Sequence, residues 1–363
     1  MSHSKTPEVA LVGCGAVAEL YYTPALQELE RTGHLHVRAL FDPSPDRVAA
    51  LKKTFPSAAP VGNLAELSRL GVDFAIIASP PRYHAEQTIQ ALTSGLSVLC
   101  EKPMAATVAE GEAMIEAAAA ARQVLAVGLF RRFFPATQAI RELLSRNILG
   151  EVTSFSCSEG GIFDWPVQSA SYFQKGAARG GVLLDIGVHV LDLLTWWFGE
   201  PIEVRYEDDA MGGIEANCRI RLRFAQGFAG EVRLSRDWPL SNRHVIQCTK
   251  GWVSWNANEA EGIQIGFYDA DFALGSQLYE NKLTNVLPTL GQPAFNFQQS
   301  FVSQLRNVIA AVRGTEPLVV SGEQGLQSLK LIEYCYRHRT LMPMPWLSEQ
   351  EYTRAQQIGN QPS

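Results

Sequence analysis

The sequence predicts a two-part α/β chain: a doubly wound parallel sheet followed by an α+β region whose sheet is antiparallel or mixed. Three observations carry this. From Glu8 onward, short apolar runs alternate with segments of helical period, the pattern of repeated βαβ units. A glycine-rich turn directly follows the first apolar run. Beyond about Phe134 the alternation gives way to β-branched or period-two strands joined by turns rich in Gly, Asn and Asp.

In order, EVALV, HVRALF, DFAIIAS, SVLCEKP and VLAVGLF read as the strands of the first sheet. Between them fall a helix from about Ala16 to Arg31, a second after ALFDPSPDR, a third from about Tyr83 to Ser94, and a fourth in TVAEGEAMIEAAAAARQ. Thr107 and Glu110 open that fourth helix as a capping box. One helix, Pro135 to Arg146, then leads to the strands EVTSFSCSEG, IEVRYEDD, ANCRIRLRFA, FAGEVRLSR and HVIQCTK. Two late helices, Phe297 to Arg313 and Glu323 to Arg339, flank GTEPLVVSG, and the last is expected to return toward the first domain. At about 100 to 200 residues per domain, 363 residues make two, expected at 1–130 and 131–363.

Hydrophobic residues make up 46% and charged residues 19%, which suffices for two cores and leaves no room for a long disordered tail. With 31 basic against 37 acidic side chains the net charge is −6, so nucleic acid and anionic membranes are not expected partners. The start, MSHSKTPEVA, has no apolar leader or twin arginine, and no later run approaches the roughly 20 apolar residues of a membrane span. The cysteines Cys14, Cys100, Cys157, Cys218, Cys248 and Cys335 are far apart and read as reduced thiols of a cytoplasmic protein. His34 and His36 share one strand without a third ligand, so no metal site is expected.

The strongest local signal is LVGCGAVAEL, where Gly13, Gly15 and Ala18 fit G-x-G-x-x-G/A between a strand and a helix. Gly13 allows the tight turn, Gly15 lets backbone amides approach a pyrophosphate, and Ala18 permits close helix–strand packing. The phosphates then meet the positive helix end over Gly15, Ala16 and Val17. The competing reading is a tight βα turn without a ligand. Asp42 closes the second strand 29 positions after Gly13, across a long first helix, against the usual ~20. A carboxylate there accepts both ribose hydroxyls of NAD and repels the extra phosphate of NADP. NAD is therefore favoured, although Ser44 and Arg47 are able to accommodate that phosphate. Filling the turn before Pro43, or capping the next helix, is the competing role for Asp42.

The third and fourth strands end at Ser79, Pro80 and Pro81 and at Glu101, Lys102 and Pro103; carboxyl ends of such a sheet face the ligand crevice. Lys102 can donate a hydrogen bond to a substrate oxygen there, and burial would lower its pKa toward the acid/base range. Alone, the tripeptide reads more simply as a solvated strand-end lysine. In GGVLLDIGVHVLDLLTWWFG, Asp185, His189 and Asp192 at i, i+4 and i+7 fall on one helix face. His189 can accept a proton near neutral pH, and Asp185 can orient the imidazole or a substrate hydroxyl. An N-cap aspartate and a partly buried surface histidine are the bland alternative.

Taken in order, the turn at Gly13, SPP at Ser79, His84 near the next helix start, EKP at Glu101 and GG-x3-D-x3-H from Gly180 resemble the glucose-fructose oxidoreductase, inositol dehydrogenase and MocA family, over nearly the whole chain. The resemblance implies a Rossmann domain joined to a domain with a large open, mostly antiparallel sheet. It implies an NAD(P)-dependent dehydrogenase acting on a secondary alcohol or ketone of a sugar, inositol or sugar derivative. Lys102 and His189 would then move the proton, Asp185 would hold the substrate, and Ser79, Pro80, His84, Glu101 and Lys102 would contact the cofactor. The chain departs from the family pattern at Leu96 and Ser97, and again at Gly128, Leu129 and Phe130, where a polar residue commonly precedes the arginines. The second departure, beside Arg131 and Arg132, bears on what the substrate pocket accepts.

Relatives of this fold also act on dihydrodiols or tetrapyrroles, and some resembling it are non-catalytic dinucleotide-binding regulators. Retention of Lys102, Asp185 and His189 together argues against a regulator. Trp165, Tyr172 and Phe173 are candidates for a pocket wall, with core packing the simpler reading. The segment Asp271 to Pro293 reads as a lid or a subunit contact. A broad open sheet makes a homodimer or homotetramer the expected assembly.

Overall fold

A computed structural model of the chain describes residues 6–164, 166, 180–276 and 296–359. They fall into two compact units. Residues up to Phe130 with Gln298–Lys330 belong to the first, and Arg131 onward with the chain from Leu331 to the second.

In the first unit β1 (Glu8–Val12), β2 (His36–Phe41), β3 (Ala59–Pro60), β4 (Phe74–Ile77), β5 (Ser97–Cys100) and β6 (Leu125–Val127) form a parallel sheet in the order β3-β2-β1-β4-β5-β6. Every residue of β4 and β5 is buried, as a sheet covered on both faces by crossover helices requires. Those helices are α1 (Thr23–Arg31), α2 (Pro45–Thr54), α3 (His84–Thr93) and α4 (Val108–Ala121). The expected capping box opens α4: Thr107 Oγ1 accepts the Glu110 N–H at 3.2 Å, and Glu110 Oε2 accepts the Thr107 N–H at 3.1 Å. Strand order reverses between β1 and β4, the switch point at which doubly wound sheets bind ligands.

In the second unit, β7 (Val152–Gly160), β8 (Pro201–Asp208), β9 (Asn217–Phe224), β10 (Ala229–Ser235), β11 (Arg243–Cys248), β12 (Gly251–Asn256), β13 (Ile263–Phe267), β14 (Ala273–Ser276) and β15 (Thr340–Leu341) form one sheet, ordered β14-β13-β12-β11-β7-β10-β9-β8-β15. It is mixed but mostly antiparallel: β10 runs parallel to β7 and β15 to β8, and the remaining neighbours are antiparallel. Alternation sets its faces. Cys218, Ile220, Leu222 and Phe224 of β9 are buried, while Arg221 and Arg223 between them are exposed. Helices α5 (Pro135–Ser145) and α6 (Val188–Phe198) belong to this unit. The end of α6 is anchored by aromatic packing, Phe198 meeting Phe155, Phe224 and Phe228 at ring-centroid distances of 5.6, 5.3 and 5.0 Å.

Of the later helices, α7 (Phe297–Val312) lies almost wholly in the first unit, α8 (Gly322–Arg337) contributes to both, and α9 (Glu349–Gly359) belongs to the second. Phe301 of α7 stacks on Tyr21 at 5.2 Å and on Phe130 at 5.0 Å. Phe130, one of the positions that depart from the family pattern, is therefore apolar because it packs on a helix. Among the described residues no helix is long and apolar enough to cross a membrane, and no group of His, Cys, Asp or Glu is placed to hold a metal ion. All six cysteines are buried free thiols.

Asp192, read on one helix face with Asp185 and His189, is closed off from ligands in an ion pair. Both Asp192 and Arg132 have side chains 1% exposed, and the two are joined at 2.6 Å between Nη2 and Oδ1, with Nε also in reach. Residues Leu183–Gly187 form a wider π turn before α6 begins, so it is Asp185 that leaves the i, i+4, i+7 count, while His189 and Asp192 keep their helical spacing within α6. Asp192→Ala would leave a buried guanidinium without a countercharge and should destabilise the protein by about 3–5 kcal/mol in urea denaturation. A loss below ~1 kcal/mol, the scale of an exposed pair, would show that the ion pair does not hold α6.

Candidate active site

The glycine turn is built by close approach. Gly13 has φ +91°, and a Cβ there would lie 2.5 Å from the Ser79 nitrogen and 2.7 Å from the Ala78 carbonyl carbon. Only glycine tolerates both constraints. Its N–H donates to the Phe41 carbonyl at 2.8 Å, so one residue joins the ends of β1, β2 and β4. The chain then enters a π turn, Ala18–Tyr22, before α1. Pro24 accounts for it: without an N–H it cannot continue the α-helical ladder, and Thr23 meets the Ala18 carbonyl with both its N–H and its Oγ1, the latter at 2.8 Å. Ala18 is fully buried, while Gly15, Ala16 and Val17 stay partly exposed at the helix start. Glycine, small side chains and a positive helix end suit the pyrophosphate of a dinucleotide.

Asp42 fills the local, turn-holding role. Its side chain is only 4% exposed, and its oxygens accept the N–H groups of Cys14 and Ser44, each at 2.8 Å. The carboxylate thus holds the glycine turn and the turn before α2. A carboxylate has further acceptor sites for ligand hydroxyls.

At the end of β4, Ser79 Oγ donates to Gln87 Oε1 at 2.6 Å, and Pro80 is exposed. Two residues expected to contact the cofactor are engaged by neighbouring protein groups. His84 is 1% exposed, with its ring nitrogens 2.8 Å from the Pro103 carbonyl and 2.7 Å from the Ser79 carbonyl. It ties the turn after β4 to the turn after β5, with both nitrogens engaged by main chain. Burial holds its pKa below the ordinary value, against the pull of the two carbonyls. Glu101 is 6% exposed; Oε1 accepts from Tyr22 Oη at 2.7 Å and Oε2 from the Lys102 N–H at 2.9 Å. Burial pushes this carboxyl up. A Cβ on Gly128 would sit 2.8 Å from Glu101 Oε1, which explains the missing side chain there. Lys102 is partly buried and precedes Pro103 through a cis peptide.

In the second unit, Asp185 sits in the π turn and His189 in the first turn of α6. His189 is 5% exposed, and the Asp185 side chain 31%. Asp185 Oδ2 is paired with Arg236 Nη2 at 2.8 Å, and this guanidinium, itself 8% exposed, lies over the Phe163 ring at 5.2 Å. A carboxylate held this way accepts hydrogen bonds from hydroxyls. Arg236 follows β10, and no local pattern links it to Asp185.

Arg131 and Arg132 are both committed to ion pairs within this unit. Arg131 binds Glu159 through two bonds of 2.6 and 2.9 Å, and His244 Nε2 lies 2.7 Å from the same Glu159 Oε1. Burial alone would raise the Glu159 pKa, but Arg131 and His244 outweigh it and bring it to about 2. Burial lowers that of His244, and Cys157 and Glu159 together lift it to about 9. Trp165, Tyr172 and Phe173 lie outside the described residues, as does 277–293 of the expected lid; the start of that segment contains β14.

A Rossmann sheet with a glycine turn of this geometry, followed by a mixed open sheet, defines the class of dinucleotide-binding oxidoreductases built from two domains. Residues 8–129 match the oxidoreductase family with an NAD-binding Rossmann fold, and residues 137–254 match the GFO/IDH/MocA C-terminal domain. The chain belongs to this family, and its first domain is an NAD-binding Rossmann domain. It is 32% identical to the D-glucoside 3-dehydrogenase of Escherichia coli (strain K12) over 197 residues, 53% of this chain and 54% of that protein. It is 29% identical to the trans-1,2-dihydrobenzene-1,2-diol dehydrogenase of Sus scrofa over 239 residues, 63% of this chain and 68% of that one. The matches thus span from about half to two thirds of these relatives. Among solved structures, levoglucosan dehydrogenase in complex with NADH and levoglucosan shares the fold with a TM-score of 0.80 at 20% identity, over 92% of this chain and 97% of that one. The aldose-aldose oxidoreductase from Caulobacter crescentus does so with a TM-score of 0.78 at 24% identity, over 92% and 97%.

Gly13→Val should weaken dinucleotide binding, raising the Kd for NADH at least roughly tenfold, or about 1.4 kcal/mol, in a fluorescence titration; unchanged binding would contradict the role of the turn. The Glu159 pair also sets a pH dependence. A Glu159 pKa depressed from 4.5 to about 2 stabilises the fold above 4.5, a contribution lost as pH falls toward 2. A His244 pKa raised from 6.5 to about 9 stabilises below 6.5, and this is lost as pH rises through 9. Glu159→Gln should flatten the acid limb of a melting-temperature profile and only soften the alkaline limb, which Cys157 also sustains; an acid limb as steep as in the wild type would refute the assignment.

Proposed function

We propose that the protein is an NAD-dependent dehydrogenase that interconverts a secondary alcohol and a ketone on a sugar, an inositol or a sugar derivative. The Asp185–Arg236 pair, one residue partly exposed and the other nearly buried, carries the reading: it offers a fixed acceptor for a polyol hydroxyl close in sequence to an imidazole. Family membership and the names of the relatives support the same chemistry.

When bound, NAD supplies the acceptor for the hydride that leaves the substrate carbon. His189 takes the proton of the substrate hydroxyl as that carbon becomes a carbonyl, and returns it to a ketone in the reverse direction. Lys102 donates a hydrogen bond to the same oxygen. Asp185, held by Arg236, accepts from a neighbouring hydroxyl and so orients the sugar ring. Gly15, Ala16 and Val17 meet the pyrophosphate over the turn that Gly13 and the buried Ala18 make possible, and Ser79 and Pro80 line the nicotinamide end. The Asp42 carboxylate receives the ribose hydroxyls and favours NAD over NADP, with Arg47, 3.9 Å from Asp42, tempering that preference. A homodimer or homotetramer in the cytoplasm completes the reading, the compartment being in keeping with six buried free thiols.

A trans-dihydrodiol is the second substrate class, favoured by the match to the Sus scrofa enzyme. The test is nicotinamide absorbance with NAD or NADP against methyl glucosides, inositols, sugar acids, nucleotide sugars and a trans-dihydrodiol. Lys102→Ala and His189→Ala are each expected to lower kcat by roughly 10²–10⁴-fold with NADH binding retained. Tight dinucleotide binding with no turnover of any compound would favour a regulator instead.

A further inference from the structure

The turn that carries Asp185 has no side-chain cap of its own. Its first N–H groups are met from another part of the chain by one residue, Glu215, just before β9. Glu215 Oε1 accepts from the Gly181 N–H at 2.9 Å and from the Leu183 N–H at 3.0 Å, while its main-chain carbonyl accepts the Val182 N–H at 3.1 Å. Tyr336 of α8 donates its hydroxyl to the same Oε1 at 2.8 Å. The double glycine exists to admit this clamp: a Cβ on Gly181 would lie 1.9 Å from the Glu215 carbonyl oxygen, and one on Gly180 2.3 Å from Tyr336 Oη. The next residue holds the other half of the pair, since the Ala216 carbonyl accepts the Arg236 N–H at 2.9 Å.

We propose that Glu215, set in place by Tyr336, is a positioning residue that fixes the Asp185 turn, the His189 turn after it and the Arg236 strand end in one arrangement. This rests on the functional reading of Asp185 and His189 given above. Glu215 acts only through main chain: the Asp185 N–H bonds to the Gly181 carbonyl at 3.1 Å, and Gly181 is held by Glu215. A buried carboxyl meeting three donors at a helix start is a far stronger tether than loop packing. Burial raises Glu215 to about 7, with Asp208 adding to the rise and the Tyr336 and main-chain bonds opposing it. Around it stand Asp208 with its partner Arg339, Tyr206, Cys218 and Tyr336. Glu215→Gln, neutral at every pH with the acceptor oxygen retained, is therefore the conservative replacement.

The test combines amide exchange by mass spectrometry over residues 180–187, NADH binding by fluorescence, and kcat and KM with the sugar that turns over fastest. Glu215→Ala should speed exchange of this segment at least tenfold and lower kcat about 10²-fold, with NADH binding unchanged. Tyr336→Phe should move both in the same direction by less, and Glu215→Gln should restore both to near the wild type. Should Glu215→Ala not fold, the other two variants decide. Unchanged exchange in Tyr336→Phe, faster exchange with an unaltered kcat, or a Glu215→Gln variant as impaired as the alanine would each overturn the proposal. If no sugar turns over at all, exchange still judges the clamp, and the failure falls on the functional reading.

Discussion

Main chain at Gly13 runs so close to the end of β4 that a single methyl group would stand 2.5 Å from the Ser79 nitrogen. That approach draws the ends of β1, β2 and β4 to one point, where Asp42 can bind the Cys14 N–H and where the first helix can start with partly exposed small residues. The second unit repeats the device with Gly180 and Gly181 against Tyr336 and Glu215. In both places a missing Cβ lets backbone serve as binding surface or tether, and the side chains that matter are set by it.

The buried charges sort into two kinds. Arg132–Asp192 is closed to solvent on both sides, and Arg131–Glu159–His244 nearly so. Such pairs gain little net stability over apolar packing but make the loss of one partner costly. Arg236–Asp185 differs, since its acid is 31% exposed while its base is 8%. A partly open carboxylate with a locked partner is suited to ligand hydroxyls, whereas the closed pairs are sealed from them.

What could be read in the sequence was local. The glycine turn, the Thr107 capping box and the strand-end Lys102 are short patterns whose physics is contained in a few residues, and the alternation of β9 displayed its buried face directly. Roles set by distant contacts were hidden. His84 and Glu101 stand where ligand-facing polar residues stand, yet their partners are Ser79, Pro103, Tyr22 and Lys102, and nothing local separates the two cases. The burial of Asp192 came from a partner 60 positions away, Arg132, and the π turn that takes Asp185 out of the helical count has no pattern of its own. Arg236, Glu215 and Tyr336 come from a strand end, a loop and a late helix, so no motif could join them to Asp185.

The proposal on which the functional reading turns is that Lys102 and His189 serve one substrate oxygen. A crystal structure of the protein with NAD and a sugar from the reactive class tests it most directly. The account predicts one hydroxyl oxygen within about 3 Å of both Lys102 Nζ and a His189 ring nitrogen, with a second hydroxyl on Asp185. A sugar bound with its reacting carbon facing the nicotinamide but beyond reach of either side chain would contradict it.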